Sequence, residues 1–131
     1  MSLPTFLMIP GAPAPGAPFS HAVEVDGWVF VTGQVPTDPA DRAIPLPDGI
    51  EAQTKRVMDN LLIVLRGAGL GLENVVSARV FITDFDRDYA GMNAAYRAYF
   101  APDRLPARTC IGVTGLAKAA RVEIDFIARR P

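Results

Sequence analysis

The sequence has one cysteine and one histidine in 131 residues. A single thiol closes no disulfide within the chain, and neither a CxxC zinc site nor a histidine-rich metal site can be assembled from this stock. No metal site is therefore expected. Neither sign of charge is in excess: 13 Lys and Arg face 14 Asp and Glu, a formal net charge of −1. A general phosphate-binding surface carries a basic excess, which weighs against nucleic acid as a partner. Long apolar runs are missing as well. The longest cluster, Leu61 to Leu65, sits in a helical pattern and falls far short of a membrane span. Met1 to Pro18 has no basic start and carries prolines at 4, 10, 13, 15 and 18, unlike a secretory leader. A free thiol, no leader and no span together point to the cytoplasm. The phosphate-cradling patterns GxGxxG and GxxxxGK[ST] do not occur. Chemistry, if there is any, must come from Arg, Lys, Asp, Glu, Tyr, Asn and the one Cys.

Apolar residues, by contrast, are plentiful, at 50% of the chain. That is high for this length and suggests apolar surface buried between subunits. Proline placement divides the sequence into a Pro-rich arm (1–18), extended or irregular, and a single domain over 19–131. No proline lies between Asp48 and Ala101, where the helices are expected. Ala22 to Thr32 reads as a hairpin, with Asp26-Gly27 at a type I′ turn. Asp48 with Glu51 has the spacing of a capping box. Ile50, Val57, Leu61, Val64 and Leu65 recur at helical spacing until Gly67 or Gly69. Val75 to Thr83 reads as a strand with Val76, Ala78, Val80 and Ile82 on one face. Asp86 is the expected cap of a second helix, whose stripe is Tyr89, Met92, Asn93, Tyr96 and Phe100. Thr109 to Val113 and Arg121 to Ala128 close the order β-β-α-β-α-β-β. This predicts a two-layer α+β domain, a mixed sheet with two helices packed on one face. The other face has no helix to cover it, and a second copy of the chain is the obvious cover.

Several residues admit two readings on pattern alone. Alternation in the last strand puts Val122, Ile124, Phe126 and Ala128 on one face and Glu123 and Asp125 on the other, so Glu123 is either a solvated strand residue or a site carboxylate. Arg108, at a loop-to-strand junction, is either a surface charge or a fork for a carboxylate. Cys110 is a small buried hydrophobe or a nucleophile, and the nucleophile needs a base that only His21 could supply. His21 itself, beside the first strand, reads as structural or exposed. Asn93 and Tyr96 read first as packing residues, and Gly33-Gln34 as turn chemistry.

Taken together, Ser20-His-Ala-Val, Val29-Phe-Val-Thr-Gly-Gln34, Gln53 with Asn60-Leu61, Phe81-Ile-Thr-Asp84, Met92-Asn93 with Tyr96, Pro106-Ala-Arg-Thr-Cys110 and Val122-Glu-Ile-Asp125 form a pattern. It resembles the RidA/YjgF family, also labelled endoribonuclease L-PSP, from about Phe19 to Arg129. The resemblance implies a chorismate-mutase-like fold assembled as a homotrimer with sites in the clefts between subunits. It implies an enamine/imine deaminase that hydrolyses amino-acid-derived intermediates such as 2-aminoacrylate/2-iminopropanoate to 2-oxo acids and ammonia without a cofactor. Carried over position by position, Arg108 holds the substrate carboxylate, Glu123 orients water, Cys110 contacts ligand mainly through its backbone, and Asn93 and Phe19 line the site. Phe19 stands where many members have tyrosine, which removes a hydroxyl. Leu116-Ala117-Lys118 stands where many have Leu-Pro-Lys, which leaves that loop less rigid. Three alternatives stay open at this point: an endoribonuclease or translation inhibitor, a non-catalytic small-ligand binder, and a pathway-specific deaminase for a larger enamine.

Overall fold

The computed structural model describes residues 3–131, so the first two residues of the arm lie outside it. Six strands and two α-helices form an α+β domain: β1 (Thr5–Leu7), β2 (Ala22–Val25), β3 (Trp28–Gln34), α1 (Ile50–Gly67), β4 (Val75–Ile82), α2 (Phe85–Arg97), β5 (Ala107–Gly112) and β6 (Val122–Arg129). They make one mixed sheet in the order β1-β2-β3-β6-β4-β5, with only β4 and β5 parallel. The expected fold class holds, with one strand added at the front. The arm is extended as expected over Thr5–Leu7, which in addition pairs with Ala22–Glu24 as an edge strand.

Local chemistry accounts for most boundaries. Asp26 and Gly27 both take positive φ (52° and 81°), as a two-residue type I′ loop between Val25 and Trp28 requires. At the end of α1, Leu70 N–H donates to Leu65 O at 2.8 Å and Gly69 N–H to Arg66 O at 3.0 Å. Gly69 is left-handed (φ 78°), which completes a Schellman motif. Three expectations are corrected. The N-cap of α1 is Gly49, not Asp48, and it makes no side-chain cap bond. Its φ of 84° turns the chain into the helix one residue later than the capping-box spacing implies. The cap of α2 is Asp84, not Asp86. Asp84 is the last residue with non-helical backbone, and its Oδ1 accepts from Arg87 N–H at 3.1 Å, while Asp86 lies in the first turn. In β4 the buried residue is Val75, not Val76, because an extra residue against β6 between Val75 and Ser77 reverses the alternation.

The core lies between the helices and one sheet face. Val57, Met58, Leu61, Val64 and Leu65 of α1 and Met92 and Tyr96 of α2 pack on Val29, Val31, Ala78, Val80, Ile82, Val122, Ile124 and Phe126. The opposite face carries no helix and leaves large apolar side chains in solvent: Trp28, Phe30 and Ile111 are each more than 40% exposed. Among the described residues, no helix is long and apolar enough to cross a membrane. The arm is tied down by His21, which is buried. Its Nδ1 accepts from Ile9 N–H and its Nε2 bonds Pro13 O, both at 2.8 Å. With Nδ1 accepting from Ile9 N–H, Nε2 is the nitrogen that donates to Pro13 O, so both nitrogens are committed. Removing the α2 cap with Asp84→Ala should cost about 1 kcal/mol in a urea titration, with the slope m unchanged.

Candidate functional site

Strand β4 lies between β5 and β6, and its register with each decides where the candidate side chains point. Val80 pairs with Cys110 on one side and Ile124 on the other; Ala78 pairs with Arg108. Arg108 and Cys110 therefore share the helix-side face with Ala78, Val80 and Ile124. Phe81 pairs with Glu123 and with Ile111, which puts Glu123 on the open face. Within one chain the arginine and the glutamate stand on opposite sides of the sheet.

On the helix side, Arg108 lies over α2. Its guanidinium carbon sits 5.1 Å from the centroid of the Tyr96 ring, and Nη1 is 3.9 Å from Met92 Sδ. An aromatic floor and a soft sulfur fix the direction of the fork without neutralising it. Among the described residues Arg108 enters no salt bridge. It lines a depression of about 260 Å³ with Tyr89, Asn93, Tyr96, Leu105 and Pro106. Two polar atoms here are buried without partners, Asn93 Oδ1 and the Tyr96 hydroxyl. Burial pushes the Tyr96 hydroxyl up to about 12, against the pull of Arg108, so it stays protonated. Unpartnered buried polar atoms cost about 1–3 kcal/mol each, so a water or ligand group that bonded either one would be favoured here. Burial also raises the Cys110 thiol, with Arg108 opposing, so the thiolate that a nucleophile needs is disfavoured.

On the open side, Glu123 lines a cavity of about 280 Å³ with Phe19, Gly33, Gln34, Arg42 and Lys118. Gly33 sits where β3 slips register against β6, between Val31 and Gln34. A Cβ there would strike the Glu123 carboxylate, so only glycine lets that side chain lie against the strand. Burial, then the neighbouring Asp125, raises the pKa of Glu123, and Arg79 opposes them. Arg79 is held by Asp125 at 2.7 Å and stacks on Phe81, so it gives Glu123 no pairing of its own. The result is a carboxyl group biased toward holding a proton.

Of the five candidates, Arg108, Asn93 and Cys110 gather on the helix side, and Glu123 and Phe19 on the open side. The sequence reading missed the roles of Gly33, Tyr96 and Met92. A glycine interrupting the strand run Val29–Gln34 was the available signal for the bulge.

The candidate residues thus lie on both faces of the sheet, and a family relationship accompanies this geometry. The family pattern described as Endoribonuclease L-PSP matches residues 10–130. The chain belongs to this family, the RidA/YjgF group. It is 42% identical over 92% of its length, and 92% of the relative's, to a RutC family protein of Synechocystis. It is 38% identical over 89% of its length, and 84% of the relative's, to a mouse protein named 2-iminobutanoate/2-iminopropanoate deaminase. The crystal structure of Escherichia coli TdcF with bound serine superposes with a TM-score of 0.85 at 29% identity, covering 95% of this chain and 99% of that one.

The raised pKa of Glu123 has a stability consequence. An unfolded glutamate titrates near about 4.3 and the folded one higher, so the folded state binds more protons between the two values. Stability therefore falls as pH rises through that window and stays lowered above it. Glu123→Gln should raise the melting temperature at pH 7, and the gain should vanish below about pH 4. A gain independent of pH would contradict burial as the cause.

Proposed function

We propose that the protein is an enamine/imine deaminase that hydrolyses 2-imino acids such as 2-iminopropanoate to 2-oxo acids and ammonia. The observation that carries this reading is Arg108: a guanidinium held over Tyr96, free of any carboxylate among the described residues, beside the unpartnered Asn93 Oδ1. A fork so prepared suits a small carboxylate bound bidentately. The names of relatives such as the mouse 2-iminobutanoate/2-iminopropanoate deaminase support the same substrate class.

In the proposed reaction Arg108 takes the substrate carboxylate and Asn93 Oδ1 accepts from the iminium nitrogen. Water adds to the electrophilic C2. Glu123 orients that water, takes one of its protons and returns it to the nitrogen; it then takes the remaining hydroxyl proton as the C–N bond breaks, the 2-oxo carbonyl forms and ammonia leaves. One carboxyl group serves as base and then acid, and a raised pKa suits it to both tasks. Phe19 and the Cys110 backbone shape the walls. Because Arg108 and Glu123 of one chain face apart, the reaction needs Glu123 from one copy beside Arg108 from another. The uncovered apolar sheet face supports assembly into a homotrimer with such shared sites.

An endoribonuclease reading draws on the family's description. It needs an acid and a base near phosphate, and the one imidazole, His21, is already committed at both nitrogens. A non-catalytic binder would take the same carboxylates without turning them over, so turnover separates the two.

Purified protein should accelerate 2-oxo acid release from 2-aminoacrylate generated in situ and should run as a trimer in size-exclusion chromatography with light scattering. Arg108→Ala should lower kcat/KM by about 100-fold or more, the loss expected for a bidentate charge-assisted contact. Full activity in that variant, or an active monomer, would sink the proposal.

A further inference from the structure

The cavity around Glu123 holds more positive charge than hydrolysis of a monocarboxylic imine uses. Its lining includes Arg42 and Lys118 alongside Glu123, so it is net cationic even with the glutamate ionised. Neither cation enters a salt bridge among the described residues. Both are exposed side chains, each making one hydrogen bond to a backbone carbonyl. Arg42 Nη1 donates to Ala14 O at 3.1 Å, and its guanidinium lies so close to Gly16 that a Cβ there would collide with it. Lys118 Nζ donates to Arg42 O at 2.6 Å, which ties the loop before β6 to the loop before α1. Lys118 and the following Ala119 are both left-handed (φ 59° and 54°), a backbone that residues with a Cβ rarely adopt. Strain of this kind persists where the surroundings hold it, and such residues cluster at ligand sites. Here the left-handed pair carries the ammonium at the cavity wall. Arg42 and Lys118, with Thr32, Gln34 and Thr37, are the polar lining beside Glu123.

We infer that this cavity selects 2-imino acids whose side chain ends in a second carboxylate, the imines of dicarboxylic amino acids, with Arg42 and Lys118 holding that distal group. The inference rests on the deaminase reading for its chemistry: Arg108 of a neighbouring copy takes the α-carboxylate and Glu123 handles the water between the two anchors. The hydrolysis is otherwise unchanged, consuming one water and releasing one ammonia per 2-oxo diacid. Two separated cationic anchors also reject substrates with a cationic side chain.

The test pairs turnover with binding. Imines of alanine and of aspartate are generated in situ by amino-acid oxidases, and kcat/KM is measured for the wild type, Arg42→Ala, Lys118→Ala and Lys118→Arg. The wild type should favour the dicarboxylic imine by about tenfold or more, and either alanine variant should lower that ratio by about tenfold. Lys118→Arg, which keeps the charge, should retain most of it. Calorimetric titration with succinate against propionate asks the same question without turnover. Hydrolysis of both imines at similar efficiency, with a ratio that neither variant moves, overturns the inference and leaves the deaminase reading standing. Succinate binding that depends on Arg42 and Lys118, without hydrolysis of either imine, does the reverse.

Discussion

Side chains alternate across a strand, and three neighbouring strands in register turn that rule into a barrier. Through β4, Arg108 is tied to the helix-side face and Glu123 to the open face. No rotamer of either residue carries its charge through the sheet. Everything proposed about chemistry here depends on this separation. It leaves an arginine with a prepared aromatic seat and no carboxylate partner, and a glutamate with a raised pKa and no Arg108 beside it. The apolar open face, with Trp28, Phe30 and Ile111 in solvent, is where further copies of the chain would bring the two together.

The supporting structure serves the two groups of candidate residues in different ways. On the helix side, α2 supplies both the floor under Arg108 and the unpartnered Asn93, so its register on the sheet fixes the anchor. The cap at Asp84 starts that helix directly after β4, with two residues between them. On the open side, the β3 bulge and the bare Gly33 make room for the Glu123 carboxylate, and His21 holds the arm whose residues form the far wall of the cavity. Hydrophobic packing builds the scaffold, but a few specific polar bonds set the cavity's shape.

Much of this was legible from the amino acids. The Asp26-Gly27 turn, the helical stripe through Tyr96 and the alternation around Glu123 are local signals that tertiary context did not override. The family pattern located Arg108, Glu123, Asn93, Cys110 and Phe19 but could not say that one chain splits them between two faces. That fact depends on strand order and on the parallel register of β4 with β5, which are non-local. The bulge that exposes Val76 was hidden for the same reason, since an extra residue is visible only against its partner strand. The β1 strand was masked by the prolines around it. His21 looked peripheral because its two partners, Ile9 and Pro13, belong to that same arm.

The central claim is that a working site takes its arginine from one subunit and its glutamate from another. Subunit complementation tests it most directly. Arg108→Ala and Glu123→Gln chains, each inactive alone, are denatured, mixed in equal amounts and refolded together. In a cyclic trimer each site needs an intact glutamate from one subunit and an intact arginine from the next, each present half the time, so about one quarter of wild-type activity should return. Mixed trimers that form yet show no activity above either parent would contradict the account.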